Sequence, residues 1–226
     1  MINKEKLSYL KEFLPFFNEL SKDELNKLLS ISKVQSYSKG DLINSKYSAS
    51  CSGIILVLDG QLRSFIHSTS GKEITIFRLL SRDFCLLSAA CAFKDISCDV
   101  SIEVEKDSLA LIINGTYFKK LSDSNTAVQK FLLDLTQDKF SEVMCLIEDI
   151  VFLRFDKRLS KFLMNESFLQ NNTTITITHD TIANNLGSAR EVVSRMLKKF
   201  ESDNIIKIHR GKIEIIDRLK LYDLSK

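Results

Sequence analysis

Arg190, Glu191, Ser194 and Arg195 lie within one six-residue stretch, and their side chains are of the types that read the edges of base pairs. Arginine donates twice to guanine, glutamate accepts from the amino group of cytosine, and a serine hydroxyl can serve either partner. To act together they must share a surface. At about 100° per residue in a helix starting at Arg190, Ser194 falls at about 40°, Glu191 at about 100° and Arg195 at about 140°. Val192, Val193, Met196, Leu197 and Phe200 occupy the rest, from about 200° to 340°. The segment therefore predicts an amphipathic helix with an apolar back and a front of two guanidinium groups, a carboxylate and a hydroxyl. The bland alternative is a solvated helix in which Glu191 and Arg195 pair at i,i+4.

The flanking residues supply the elements that would hold such a helix. Upstream, Thr178-His179-Asp180-Thr181 reads as a helix start capped by Thr178. Ile182, Ala183 and Leu186 form its buried side, and Gly187 ends it with a residue that tolerates positive φ. Ser188 is expected to cap the next helix, and the small Ala183 to sit where the two cross, which is helix-turn-helix spacing. Downstream, Ile205 to His209 and Lys212 to Ile216 flank Arg210-Gly211, predicting a two-stranded wing with a basic tip. Arg210 and Lys212, with Thr178, His179 and Ser188, are the expected phosphate contacts, which fix register while the helix face supplies sequence choice. Charge distribution agrees: the chain carries 18 basic and 20 acidic residues up to Leu153, and 14 basic and 9 acidic after it. That asymmetry suits a nucleic-acid-binding third.

The remaining chain reads as a carrier for this part. Residues 5–33 predict helices broken at Pro15, with Ser21 and Glu24 as a capping box. From Val34 the period shortens toward two. Ile54 to Leu58 and Gln61 to Ile66 flank Asp59-Gly60, predicting a hairpin. Glu73 to Leu80 and Val100 to Val104 read as another pair, and Leu109 to Ile113 closes a β-roll, barrel or sandwich over about 34–115. From residue 116 to 186 no Gly or Pro intervenes. Val128, Phe131, Leu132, Leu135, Phe140, Val143, Ile147 and Ile150 recur at helical spacing, so a long helix is expected, packed on the β domain or on its equivalent in a second subunit. A shorter helix, Asp156 to Phe168, and a strand, Thr173 to Thr178, follow.

Composition narrows the class. The 226 residues include 44% hydrophobic and 27% charged, with a net charge of +3 and one Pro, which suits a globular chain with a real core. No run approaches the roughly 18 apolar residues of a membrane span, and no apolar run follows the first basic residues, so a protein without a membrane partner is expected. The cysteines at 51, 85, 91, 98 and 145 lack the dense, even spacing of a secreted disulfide framework and read as thiols in a reducing cytoplasm.

Ser188-Ala189-Arg190-Glu191-Val192-Val193-Ser194-Arg195, preceded by Thr178 and Ile182-Ala183 and followed by Leu197-Lys198 and Ile205-Ile206, resembles the winged helix-turn-helix of Crp/Fnr transcription regulators. The resemblance extends over essentially the whole chain. It implies an α+β fold: an N-terminal cyclic-nucleotide-binding-like β-roll (jelly roll) with its helices over 1–123, a long dimerisation helix over 124–152, and a winged helix-turn-helix over 153–226. It also implies double-stranded DNA, a second copy of the chain and RNA polymerase as partners, in the cytoplasm. In the catabolite-activator branch the positions matching Arg190, Glu191 and Arg195 contact bases; in the anaerobic-regulator branch those matching Glu191, Ser194 and Arg195 do.

The chain departs from that family where effectors bind. Cyclic-nucleotide-binding members carry a Glu for the ribose and, about ten residues on, an Arg for the phosphate. Residues 83–93 hold neither, and Asp99 falls about where the Arg would lie, so cyclic AMP is not expected as effector. No Cys precedes residue 51, which argues against the N-terminal cluster of iron–sulfur members. The clostridial-type stretch Cys85-Leu86-Leu87-Ser88 with Cys91 is left as the sensor segment. Its cysteines read either as small buried hydrophobes or as a haem or thiol redox site, with His67 as a possible axial ligand. A cupin-like β-roll metalloenzyme needs two or three converging His, whereas only His67 lies in the β region. A non-specific DNA-binding scaffold would leave the Arg/Glu face without a task.

Overall fold

Helix α1 (Ile2–Phe13) stops two residues before Pro15, and α2 (Lys22–Ile31) starts at Ser21. There the expected capping box forms: Ser21 Oγ accepts from the Glu24 amide at 3.3 Å and Glu24 accepts from the Ser21 amide at 2.8 Å. The computed structural model describes residues 2–44, 53–69, 71–86 and 100–226. It divides into two units, one of residues 1–66 and 76–142, the other of 67–75 and 143–226.

The β-roll contains β1 (Lys33–Tyr37), β2 (Leu42–Asn44), β3 (Ile54–His67), β4 (Glu73–Leu79), β5 (Phe84–Cys85) and β6 (Val100–Ile113). The path runs β1-β6-β3-β4, with β2 on β6 and β5 on β3. Two expectations fail. Asp59-Gly60 makes no hairpin, because β3 continues through it with shifts of register against β6 between Val57 and Leu62. Gly60, at φ +94°, is spent on a bulge: a Cβ there would collide with Ser108 and the Asp107 carbonyl, so the strand twists instead of turning. Likewise the segments at 100–104 and 109–113 are one strand, β6, and its long partner is β3 rather than β4.

The core of this unit joins the sheet to the helices. Ile54, Leu56 and Leu58 of β3 and Leu111 and Ile113 of β6 pack with Leu10, Leu14, Phe16 and Leu28. Helix α3 (Gly115–Ser124) contributes Phe118 and Leu121, and α4 (Thr126–Phe152) contributes Val128. The helical run is thus interrupted at Asn125, whose side chain accepts from the Ala127 amide at 3.1 Å, and again after Phe152. In α4 the two halves differ. Phe131, Leu132 and Leu135 pack on the core, whereas Phe140, Met144, Ile147 and Val151 are exposed.

The second unit holds α5 (Phe155–Leu169), β7 (Thr174–Thr176), α6 (His179–Leu186), α7 (Arg190–Ser202), β8 (Ile206–His209), β9 (Lys212–Ile215) and α8 (Arg218–Ser225). Its sheet runs β7-β9-β8, antiparallel. Leu159 and Leu163 of α5, Ile182 of α6, Val193, Leu197 and Phe200 of α7, and Leu221 of α8 close one core over Ile175, Ile206 and Ile213. Among the described residues no helix is long and apolar enough to cross a membrane.

Candidate nucleic-acid interface

Helix α6 is capped at both ends as its sequence requires. Thr178 Oγ1 accepts from the Thr181 amide at 3.1 Å. At the other end Gly187 takes the left-handed conformation at φ +64°, and its amide and that of Ser188 both donate to the Ala183 carbonyl. The Arg158 side chain donates to the Leu186 carbonyl, placing a cation at the negative end of the helix dipole. Burial pulls that guanidinium below its ordinary pKa, against the pull of Asp149. Nothing in the local sequence marks Arg158 for this task, since it lies 28 residues from its acceptor.

The turn Gly187-Ser188-Ala189 leads into α7. Ser188 is not the cap expected of it. Ala189 occupies the N-cap position, with extended backbone and no side-chain hydrogen bond, because the Ser188 amide still belongs to the close of α6. Glu191 in the first turn supplies the negative charge that a helix start favours.

The two faces of α7 separate as the wheel predicts. Val193, Leu197 and Phe200 are buried and Val192 and Met196 half-buried, while Arg190, Glu191 and Arg195 are exposed and Ser194 is half-buried. The ion pair on this face joins Arg190 Nη1 to Asp180 Oδ2 of α6 at 3.1 Å, rather than Glu191 to Arg195. Both partners are largely open to solvent, so the pair contributes at most about 1 kcal/mol, and the guanidinium is cheaply released. His179 Nδ1 lies 2.8 Å from Ser194 Oγ. Two groups of the α6 first turn thus hold two groups of the polar face of α7. The wheel of one helix does not reveal this, because the contacts span ten and fifteen residues across the turn.

The wing is built from β8 and β9, with Arg210 and Lys212 exposed at its tip. Gly211 at φ +72° turns the chain there, and its carbonyl accepts from the Ile177 amide at 3.1 Å. Glu201 near the end of α7 accepts from the Ile208 amide at 2.8 Å, which ties the helix to the wing. His209 Nε2 and Glu214 Oε2 are 3.1 Å apart.

In the β-roll, Cys85 is buried in β5 opposite Ile55, and Leu86 beside it is half-buried. Leu87, Ser88, Cys91 and Asp99 lie outside the described residues. His67 Nδ1 is 3.9 Å from Glu73 Oε1. Among the described residues no three His, Cys, Asp or Glu side chains converge as a metal site.

Residues 157–224 match the Crp-like helix-turn-helix domain. A transcriptional regulator of the Crp/Fnr family from Eubacterium rectale ATCC 33656 is 38% identical, matches 95% of this chain and 99% of its own, and superposes with a TM-score of 0.91. The chain belongs to the Crp/Fnr family. As a Crp/Fnr transcription regulator it binds DNA through its helix-turn-helix, and the metalloenzyme alternative gives way to that role. The transcriptional regulatory protein btr of Bordetella pertussis is 24% identical to this regulator over 166 residues, 70% of this chain and 67% of that one. A CooA variant from Carboxydothermus hydrogenoformans, 20% identical over 95% of each chain, shares the regulator's fold with a TM-score of 0.65.

Proposed function

We propose that this regulator binds an inverted repeat in double-stranded DNA as a homodimer, with α7 of each protomer in a major groove. The observation that carries the reading is the sidedness of α7: its apolar side is consumed by the core, and Arg190, Glu191 and Arg195 are left open in front. In this reading Arg190, Glu191, Ser194 and Arg195 read bases. Arg210 and Lys212 on the wing, and Thr178, His179 and Ser188 at the two helix starts, meet phosphates, where helix amides reinforce them.

A second copy is the natural cover for α4. Its open side chains fall at Leu133, Phe140 and Ile147, seven residues apart, and at Met144 and Val151, again seven apart. This is the a/d spacing of a two-stranded coiled coil, and an apolar stripe of that length is rarely left to water. On this basis residues 1–123 form the effector domain, 124–152 the dimerisation helix and 153–226 the DNA-binding domain. We assign effector control to the β-roll segment of Cys85, Leu86, Leu87, Ser88 and Cys91, with output through RNA polymerase. DNA as partner suits the cytoplasm.

Selection of bound sequences from randomised duplexes tests the reading. The expected product is an inverted repeat whose half-site centres lie about 34–36 Å, or about 10 base pairs, apart or at a multiple of that spacing. Enriched duplexes without a repeated half-site would overturn it.

A further inference from the structure

Ser194 sits on the polar face of α7, and its hydroxyl has a fixed neighbour, since Oγ lies 2.8 Å from Nδ1 of His179, the first residue of α6. A serine inside a helix often turns its hydroxyl back to the carbonyl four residues earlier; this one is directed to another helix. A hydroxyl has one proton to donate and lone pairs to accept with, so the imidazole decides what Ser194 has left for a base. With Nδ1 bare, the hydroxyl donates its hydrogen bond to the ring and offers lone pairs alone. With Nδ1 protonated, it accepts from the ring and keeps its proton to donate.

Which nitrogen carries the proton is set by the partner of the other one. His179 opens α6, and in a helix-turn-helix the first helix crosses the phosphate backbone. A phosphate oxygen only accepts. A phosphate at Nε2 therefore requires the proton there, and in the neutral ring it leaves Nδ1 bare. The charged residues next to His179 in sequence, or within one helical turn of Ser194, are Asp180 on α6 and Arg190, Glu191, Arg195 and Lys198 on α7. Asp180 is paired with Arg190 at 3.1 Å in the free protein, while the partner of the imidazole Nδ1 is the Ser194 hydroxyl at 2.8 Å.

We infer that His179 sets the base preference of Ser194: its Nδ1 accepts the hydroxyl's hydrogen bond, so that Ser194 meets DNA as an acceptor and selects a base with an amino group in the major groove, adenine or cytosine. His179 is a positioning residue here, acting on sequence choice through Ser194. The inference rests on the proposal that α7 reads bases, and deepens it.

The test uses the full-length protein and an inverted-repeat duplex selected by it, with each half-site position set in turn to all four base pairs. At the position sensitive to Ser194→Ala, the unmodified protein should favour adenine or cytosine over guanine and thymine by about three- to tenfold, the range of one hydrogen bond. His179→Asn should keep that preference, because its amide oxygen accepts where Nδ1 did while the NH2 still donates. His179→Lys, which has donors only, should move the preference toward guanine or thymine at that same position, with the positions read by Arg190 and Arg195 unchanged. A purely structural role for His179 would lower affinity for all duplexes alike. Retention of the adenine or cytosine preference in His179→Lys would overturn the inference, and so would an unaltered pattern in Ser194→Ala. In either case Arg195→Ala tells the two levels apart: if it still loses discrimination, base reading by α7 stands and only the role of His179 falls, and if it does not, base reading falls as well.

Discussion

Replacing Ile147 by Asp should separate the protomers, and the size of the effect follows from how much of α4 is open. Phe140, Met144, Ile147 and Val151 leave 65%, 47%, 45% and 63% of their surface exposed in the single chain. At about 1.5–3 kcal/mol for each fully buried side chain of this kind, covering them with a second α4 gains about 3–7 kcal/mol per protomer, and about twice that for the pair. Association costs about 4–15 kcal/mol, so the margin is narrow. An aspartate at 147 forfeits about 1 kcal/mol of burial in each protomer and sets two carboxylates facing one another in an apolar seam, where desolvation costs several kcal/mol more. A loss of at least about 4 kcal/mol corresponds to a dimer dissociation constant raised about a thousandfold. Val143 is only half-buried and flanks the stripe, so Val143→Asp should do less. Sedimentation velocity over a micromolar concentration series reads the result. A variant at 147 that dimerises as tightly as the unmodified protein would refute the coiled-coil argument.

Other consequences are smaller and equally direct. With Lys212 on a phosphate as proposed, Lys212→Ala should weaken binding to selected and scrambled duplexes alike and lower the slope of log affinity against log salt by about one; salt titrations of both duplexes measure it. Thr178→Ala removes the acceptor of the Thr181 amide and should lower stability by about 1 kcal/mol, read from the denaturant midpoint. Hydrogen bonds from the Ser21 amide and hydroxyl hold the Glu24 carboxyl below its ordinary pKa. A depressed carboxylate stabilises the fold above its unfolded pKa and loses that contribution as pH falls through the folded one, so the stability gap between the unmodified protein and Ser21→Ala should shrink on going from about pH 6 to about pH 3.

Local chemistry was the part of this fold that could be read from residues alone. Thr178, Gly187 and Arg210-Gly211 act through their own backbone and nearest neighbours, so the ends of α6 and the turn of the wing follow from residue type. The apolar back of α7 follows from its period. Asp59-Gly60 misleads because the same dipeptide serves a hairpin or a bulge, and only the collision a side chain would make with Ser108 in β6 decides between them. Ser188 misleads by a single residue, since the cap position depends on where the amides of the preceding turn are spent. Asp180 beside Arg190 and His179 beside Ser194 are invisible to any single-helix argument, because they arise from the crossing of two helices. The stripe on α4 was legible as apolar, yet its division into a half that packs on the β-roll and a half that stays open depends on where the β-roll ends.

Whether the front of α7 reads sequence is measured by the affinity of Arg195→Ala for the selected inverted repeat and for a scrambled duplex of equal length at one salt concentration. With Arg195 reading a base, binding to the selected repeat should fall by about five- to 150-fold, equivalent to about 1–3 kcal/mol, and binding to the scrambled duplex should stay nearly unchanged. Equal losses on both duplexes would mean that the front of α7 supplies charge without reading sequence.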